Sequence, residues 1–134
     1  PHPTNGILYN PELSEEESVN FATSFFQEGY DIPPQFIEGV RKKDGAARAN
    51  LGGSVVAGNF TNETEIVKNM TQPLAILHGE KELLINGDFF TDLEMPTLWR
   101  SAVQVVPDAG HTPQWENPDA FNQLITEFVT DSGS

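Results

Sequence analysis

The apolar residues in the first half of the chain recur three and four positions apart, which is the spacing of helices. Ser14 and Glu17 form a capping box, which predicts the start of a helix, and Gly29 predicts its end. The predicted buried face of this helix comprises Val19, Ala22, Phe25 and Phe26. Residues 1–12 contain three prolines and no apolar period, so we expect an extended arm before the helix.

Three further helices are predicted before residue 70. The proline pair at 33–34 favours a second start, and the stripe of that helix is Phe36, Ile37 and Val40. Asp44 can cap a third, weaker helix, which we expect Gly52–Gly53 to interrupt. Asn62 can cap a fourth, short helix that ends near Asn69.

The second half of the chain contains short, unbroken apolar runs instead. Pro73–Leu77 and Ala102–Val106 have the pattern of strands that are covered on both faces. A short helix is predicted between them around Gly87–Leu93. Asn117 and Pro118 then begin an amphipathic helix, whose stripe is Ala120, Phe121, Leu124, Ile125, Phe128 and Val129.

Two strands joined by a crossover favour an α/β fold with a parallel sheet. Two strands are too few for such a sheet to be stable. We therefore predict a helical cap with an N-terminal arm over residues 1–70 and the edge of a larger sheet over residues 71–134. The rest of the sheet would come from a missing part of the same protein or from a self-association partner.

Composition narrows the choice of partners. The chain has 7 basic and 20 acidic residues, a formal net charge of −13, which would repel a nucleic-acid backbone. No apolar run is long enough to predict a membrane span, and no N-terminal segment has the pattern of a signal peptide. The absence of cysteine excludes disulfides and thiolate metal sites. We expect a cytoplasmic protein without a metal or cofactor.

Two loops carry the candidate chemistry, and each follows a predicted strand directly. The first loop reads HGEKE over residues 78–82, and the second reads PDAGH over residues 107–111. The carboxyl ends of parallel strands meet at one edge of a sheet, where ligands bind. We therefore expect Glu82 and His111 to lie close together there.

These loops resemble those of the α/β-hydrolases. An apolar strand end, His-Gly and an acid three residues after the glycine resembles the acid loop of that family. Pro-x-Ala-Gly-His before a proline-initiated helix resembles its histidine loop, and the order nucleophile, acid, histidine is also the family's. The resemblance implies the C-terminal fragment of a doubly wound α/β-hydrolase sheet, with two parallel strands and flanking helices, preceded by a small helical cap.

The resemblance also implies a nucleophile–His–acid triad. His111 would be the general base, and Glu82 would hold its imidazole in the correct tautomer. The commoner acid of the family is Asp, so Asp88 and Asp108 are the alternative acids. His78 is interpreted as a structural residue, and a metal site of His78 with the nearby glutamates is disfavoured.

The nucleophile is the missing member of the triad. The segment closest to a Gly-x-Ser-x-Gly elbow is Gly52–Val56, which ends in valine and follows a helical pattern. A base without a nucleophile performs no acyl transfer. We therefore expect the chain alone to be inactive.

The cap and the acid loop suggest a substrate class. Glu82 and the stretch Arg41–Arg48 are similar to acyl-homoserine lactonases of this fold, which implies hydrolysis of an ester or lactone. Phe25, Phe36 and Trp115 are the predicted substrate-binding residues. A fragment of an epoxide hydrolase or of a carbon–carbon bond hydrolase is one alternative. The other is a stand-alone, non-catalytic binding module that covers its strands by oligomerising.

Overall fold

The computed structural model describes residues 9–42 and 45–133. Six α-helices, two 3₁₀ helices and two strands follow one another along this part of the chain. The α-helices are α1 (Glu15–Thr23), α2 (Pro34–Arg41), α3 (Gly45–Val56), α4 (Glu63–Lys68), α5 (Pro113–Glu116) and α6 (Pro118–Ser132). The strands are β1 (Leu77–Gly79) and β2 (Gln104–Val106), and the 3₁₀ helices between them are Gly87–Asp92 and Trp99–Ser101. None of the helices in the described ranges has the length and apolarity that a membrane span requires.

The two strands pair in parallel, which confirms the predicted α/β class. Leu77 lies opposite Gln104, and Gly79 lies opposite Val106. Strand β1 begins at the last residue of the first predicted run and continues to Gly79, and β2 covers the last three residues of the second run. The first run does not join the strand pairing at Leu74, because Leu74 pairs with Leu98 in the loop before β2. The carbonyl of Leu74 accepts a hydrogen bond of 2.7 Å from the backbone N–H of Trp99.

Helix α1 begins as predicted and ends earlier than predicted. Ser14 Oγ accepts from Glu17 N at 3.1 Å, and Glu17 Oε2 accepts from Ser14 N at 2.8 Å. The helix ends at Thr23, not at Gly29, and the hydroxyl of Ser24 donates to the Phe21 carbonyl at 2.7 Å. The prediction that Phe25 and Phe26 belong to the buried face of this helix is therefore wrong, because both lie in the segment that follows it.

Helix α3 runs through Gly52–Gly53, so the predicted interruption is wrong. A Cβ atom on Gly52 would lie 2.8 Å from Cβ of Tyr9, so the glycine makes room for a tyrosine that packs against the helix. The predicted cap of this helix, Asp44, lies outside the described residues. Helix α4 is capped as predicted, because Asn62 Oδ1 accepts from the backbone N–H of Thr64.

The buried core joins α1 to the sheet. Its apolar members are Phe21, Ala22, Phe26, Trp99, Val106 and Ala109. Helix α6 is attached through Trp99, whose indole N–H donates to Asp131 Oδ2 at 2.9 Å and whose ring lies 5.6 Å from that of Phe128. Val105 on β2 is 56% exposed, so that side of the short sheet is open, contrary to the predicted cover on both faces.

Gly79 at the end of β1 is packed against the backbone of the histidine loop. A Cβ atom there would lie closer than van der Waals contact to the carbonyl oxygens of Ala109 and Gly110. We expect Gly79→Ala to destabilise the protein by about 2 kcal/mol or more, because backbone atoms cannot move aside cheaply. The midpoint of urea-induced unfolding measures this loss.

The control for Gly79→Ala is Gly39→Ala in α2. A Cβ atom on Gly39 meets nothing within 4 Å, and alanine favours a helix more than glycine does. This control should therefore leave the midpoint unchanged or raise it. Equal midpoints for Gly79→Ala and the wild type would show that the two loops are not in contact.

Candidate active site

The acid loop and the histidine loop meet at the carboxyl edge of the sheet. The backbone N–H of Glu80 donates to the Val106 carbonyl at 2.9 Å. The next N–H, that of Lys81, donates to the Ala109 carbonyl at 2.8 Å. These bonds continue the strand pairing into the loops and fix the positions from which Glu82 and His111 project.

Glu82 and His111 form a hydrogen-bonded pair. His111 Nδ1 lies 2.7 Å from Glu82 Oε2, and 5% of the Glu82 side chain and 32% of the His111 side chain are exposed. The other carboxylate oxygen, Oε1, accepts from the backbone N–H groups of Leu84 at 2.6 Å and Ile85 at 3.2 Å. An ionised carboxylate only accepts hydrogen bonds, so the pairing assigns the imidazole proton to Nδ1. Nε2 is then the basic nitrogen of the ring.

The surroundings of Glu82 keep it ionised. Burial raises the pKa of its carboxyl group, but the N–H of Leu84, the imidazole of His111 and the N–H of Ile85 lower it. The lowering contributions together exceed the effect of burial, so the pKa of Glu82 lies below its usual value of 4.5. The acid is therefore charged at neutral pH.

The depressed pKa of Glu82 makes part of the stability pH-dependent. A group with a lowered folded-state pKa contributes stability above its unfolded-state pKa and loses it as the pH falls through the folded-state value. We expect wild type to be more stable than Glu82→Gln at pH 7, and the difference to shrink as the pH falls below 4.5. Urea unfolding of both proteins between pH 7 and pH 3 measures it. A difference that grows toward low pH would contradict this assignment.

The structure does not bring the two alternative acids to His111. Asp108 contributes backbone groups: its N–H donates to Glu80 Oε2 at 3.1 Å, and its carbonyl accepts from Gln27 Nε2 at 2.6 Å. Asp88 lies in the first turn of the 3₁₀ helix Gly87–Asp92, and its backbone N–H donates to Asn86 Oδ1. Among the described residues, the carboxylate that reaches His111 Nδ1 is that of Glu82.

His78 lies on β1 and faces a different neighbourhood. Its Nε2 is 3.3 Å from the Ile85 carbonyl, and its ring packs edge-on against Phe90 at 5.9 Å. Within the described ranges, no group of three His, Asp or Glu residues is placed to hold a metal ion.

The three predicted substrate-binding residues form a connected aromatic wall. The ring centroid of Phe25 is 5.2 Å from that of His111, Phe36 is 5.7 Å from Phe25, and Trp115 is 6.1 Å from Phe36. They line a groove of about 440 Å³ together with Phe21, Gln35, Gly39, Val40 and Arg48. The mainly apolar groove is therefore connected to His111 through the ring of Phe25.

Glu116 joins the segment that follows α1 to the histidine loop, and no pattern in the sequence predicted this role. Its Oε1 accepts from the backbone N–H of Gln27 at 2.6 Å, and its Oε2 accepts from the N–H of Gly110 at 2.8 Å and from Thr112 Oγ1 at 3.2 Å. The Thr112 hydroxyl also lies 3.1 Å from the Phe25 carbonyl. Phe25 and Gln27 lie more than eighty residues before the side chains that they contact, so no local pattern reveals these bonds.

We expect Glu116→Ala to destabilise the protein by about 2 kcal/mol or more, because it leaves the N–H groups of Gln27 and Gly110 without their acceptor. Glu116→Gln keeps one acceptor oxygen and should lose less. The exposed Glu12 provides the control, since Glu12→Ala removes an equal charge without these contacts. Urea unfolding compares the three variants. Equal stability of Glu116→Ala and Glu12→Ala would show that the hydrogen bonds of Glu116 to Gln27 and Gly110 do not stabilise the fold.

Comparison with known proteins supports the resemblance to α/β-hydrolases. No family model matches the chain. A 2-hydroxy-6-oxononadienedioate/2-hydroxy-6-oxononatrienedioate hydrolase of Pseudomonas sp. is 24% identical over 126 residues, which are 92% of this chain and 38% of that protein. The carboxylesterase CesB of Bacillus subtilis matches with a TM-score of 0.68 at 18% identity, over 96% of this chain and 46% of its own.

These comparisons show that the chain is similar to part of the α/β-hydrolase fold, to which its two-stranded parallel sheet corresponds. It is particularly similar to the N-acyl homoserine lactonase AidH, solved in complex with N-hexanoyl homoserine lactone. That match has a TM-score of 0.89 at 25% identity and covers 98% of this chain and 48% of the lactonase. The chain thus spans about half the length of the solved structures that it matches and less of the curated relative.

Proposed function

We propose that this chain supplies the base and the acid of an α/β-hydrolase that cleaves a carboxylic ester or a lactone. The observation that supports this most strongly is the 2.7 Å pair of His111 Nδ1 and Glu82 Oε2 at the carboxyl edge of the sheet. The pair leaves Nε2 of His111 as a base beside an apolar groove. A histidine oriented in this way by a nearly buried carboxylate is the arrangement that activates a nucleophile.

The chemistry follows from the two nitrogen atoms of His111. Nε2 takes the proton of the nucleophile as the nucleophile attacks the substrate carbonyl carbon. Glu82 stabilises the imidazolium that results, because Nδ1–H already points at its carboxylate. The imidazolium then gives its proton to the leaving oxygen as the bond from carbonyl carbon to oxygen breaks. Water hydrolyses the acyl-enzyme by the same proton transfers.

The nucleophile in this proposal belongs to a part of the fold outside residues 1–134. Ser54, the nearest sequence match to a nucleophile elbow, lies within α3, and its Oγ lies 3.2 Å from the carbonyl of Asn59. A nucleophile elbow is instead a turn from a strand into a helix. The chain alone should therefore turn over no ester, and the exposed side of β2 at Val105 is where further protein would pack.

The groove supports an acyl chain as the part of the substrate that is bound. Phe25, Phe36 and Trp115 offer apolar contact area along it, close to His111. Its volume of about 440 Å³ and its mainly apolar lining suit the acyl chain of an N-acyl homoserine lactone or of a fatty-acid ester. The similarity to the lactonase AidH and to the carboxylesterase CesB supports the same two substrate classes.

The second candidate is hydrolysis of a carbon–carbon bond in a keto acid. The curated relative from Pseudomonas supports it, since the name of that protein specifies such substrates. The histidine and the acid would act in the same way, but the leaving group would be a carbon atom. The substrate thus separates the two candidates more sharply than the site does.

The test is an assay of the protein purified from its source, together with its intact mass. p-Nitrophenyl butyrate, N-hexanoyl homoserine lactone and a 2-hydroxy-6-oxodienoate are the three substrates. We expect a mass above 14.8 kDa and hydrolysis of the ester or the lactone. Turnover of the dienoate alone would establish the second candidate. A mass of 14.8 kDa without any hydrolysis would contradict both and favour a binding module.

A further inference from the structure

Arg48 is a buried cation in the wall of the groove. It lies on α3, is 3% exposed, and its guanidinium carbon is 5.8 Å from the ring centroid of Phe21. Nη2 donates to the Val40 carbonyl at 2.8 Å near the end of α2. Nη1 is buried and has no hydrogen-bond partner among the described residues.

Arg48 also lacks a paired carboxylate in the part of the chain that the structure describes. Within residues 9–42 and 45–133, no carboxylate lies within ion-pair distance of its guanidinium. A buried charge without a partner is costly, and a buried N–H without an acceptor adds to that cost. A backbone carbonyl and a ring face satisfy only part of a group that carries five N–H donors.

The groove around Arg48 defines the ligand that would satisfy it. Its walls are mainly apolar, and Gln35 is the other polar side chain that lines it. The chain as a whole carries a net charge of −13, so its surface does not attract anions in general. This groove would therefore fit a ligand with an apolar body and one anionic end better than it would fit a small inorganic anion.

We infer that Arg48 binds a carboxylate carried on an apolar chain, with Nη1 as the donor. This inference rests on the proposed function, in which the scissile carbonyl lies at His111. Ring contacts of 5.2, 5.0 and 5.8 Å lead from His111 past Phe25 and Phe21 to the guanidinium of Arg48. The favoured substrates are then esters or lactones whose acyl chain ends in a carboxylate, such as half-esters of dicarboxylic acids.

Ligand binding tests the site without any chemical step. Isothermal titration calorimetry compares octanoate with octan-1-ol on wild type, Arg48→Gln, Arg48→Lys and the control Arg41→Gln. Arg41 is an exposed arginine at the end of α2 and pairs with Glu15. We expect wild type and Arg41→Gln to bind octanoate at least about tenfold more tightly than octan-1-ol. Arg48→Gln should lose that preference and keep its affinity for the alcohol, and Arg48→Lys should keep part of the preference.

Two results would overturn the inference. One is equal binding of the acid and the alcohol by wild type, which needs no variant to interpret. The other is an equal loss of both ligands in Arg48→Gln, which would mean that Arg48 only caps α2.

Kinetics separate this inference from the proposed function. In the protein with the complete fold, kcat/KM is compared for mono-p-nitrophenyl suberate and p-nitrophenyl octanoate. Hydrolysis of both esters without a preference for the suberate would contradict the carboxylate subsite but support the proposed hydrolase. Binding of octanoate more tightly than octan-1-ol, without hydrolysis of any ester, would support the subsite but contradict the proposed hydrolase.

Discussion

Replacing His111 with alanine is expected to lower kcat for ester hydrolysis about 10⁴-fold or more in the protein with the complete fold. The substitution removes the only imidazole that the structure pairs with a carboxylate among the described residues, and with it the base that deprotonates the nucleophile. KM should change little, since the groove is lined by other side chains. Initial rates with p-nitrophenyl butyrate measure both constants.

His78→Gln is the matched control for His111→Ala. His78 lies at the same end of the sheet, but its ring contacts Phe90 and its Nε2 lies near the Ile85 carbonyl. We expect this variant to keep its activity within about tenfold, because it loses at most one neutral hydrogen bond. Equal losses in the two variants, or activity in His111→Ala near that of wild type, would mean that His111 is not the base.

Glu82→Gln should lower kcat by about 10³- to 10⁴-fold. The side chains of glutamate and glutamine are nearly equal in size, but the amide can donate a hydrogen bond to Nδ1 of His111. This bond favours the imidazole tautomer with its proton on Nε2. That tautomer cannot accept a proton at Nε2. Stopped-flow or steady-state rates measured at pH 7 give the loss directly.

Three matched substitutions separate Glu82 from the neighbouring acids. Glu80→Gln removes a carboxylate in the same loop that bonds the backbone of Asp108 and pairs with Lys81. Asp88→Asn and Asp108→Asn remove the two alternative acids. Each of the three should stay within about tenfold of wild type, since none of these carboxylates bonds His111 among the described contacts. A loss in Asp108→Asn as large as that in Glu82→Gln would reassign the acid.

Local signals in the sequence predicted the parts of the fold that depend on local physics. The capping box of Ser14 and Glu17 fixed the start of α1, and Asn117 before Pro118 fixed the start of α6. The pairing of Glu82 with His111 was predictable for a different reason. Both follow strands that run parallel, and parallel strands bring their carboxyl ends to one edge.

Contacts between distant segments explain what the sequence could not predict. Helix α1 ends at Thr23 because the segment after it turns toward the histidine loop, where Glu116 holds the N–H of Gln27. Helix α3 continues through Gly52 because Tyr9 packs against it there. The sequence gives no sign that Arg48 is buried, because its contacts with Phe21 of α1 and with the Val40 carbonyl of α2 come from other helices.

Covalent labelling is the measurement that tests the central claim most directly, namely that His111 and Glu82 activate a nucleophile carried elsewhere in the protein. Wild type and His111→Ala are produced as the complete protein and treated with a fluorophosphonate. Peptide mass spectrometry then locates the labelled residue. We predict a serine adduct outside residues 1–134 in wild type, formed at least about 10³-fold more slowly in His111→Ala. A label within residues 1–134, or equal labelling of the two proteins, would contradict the claim.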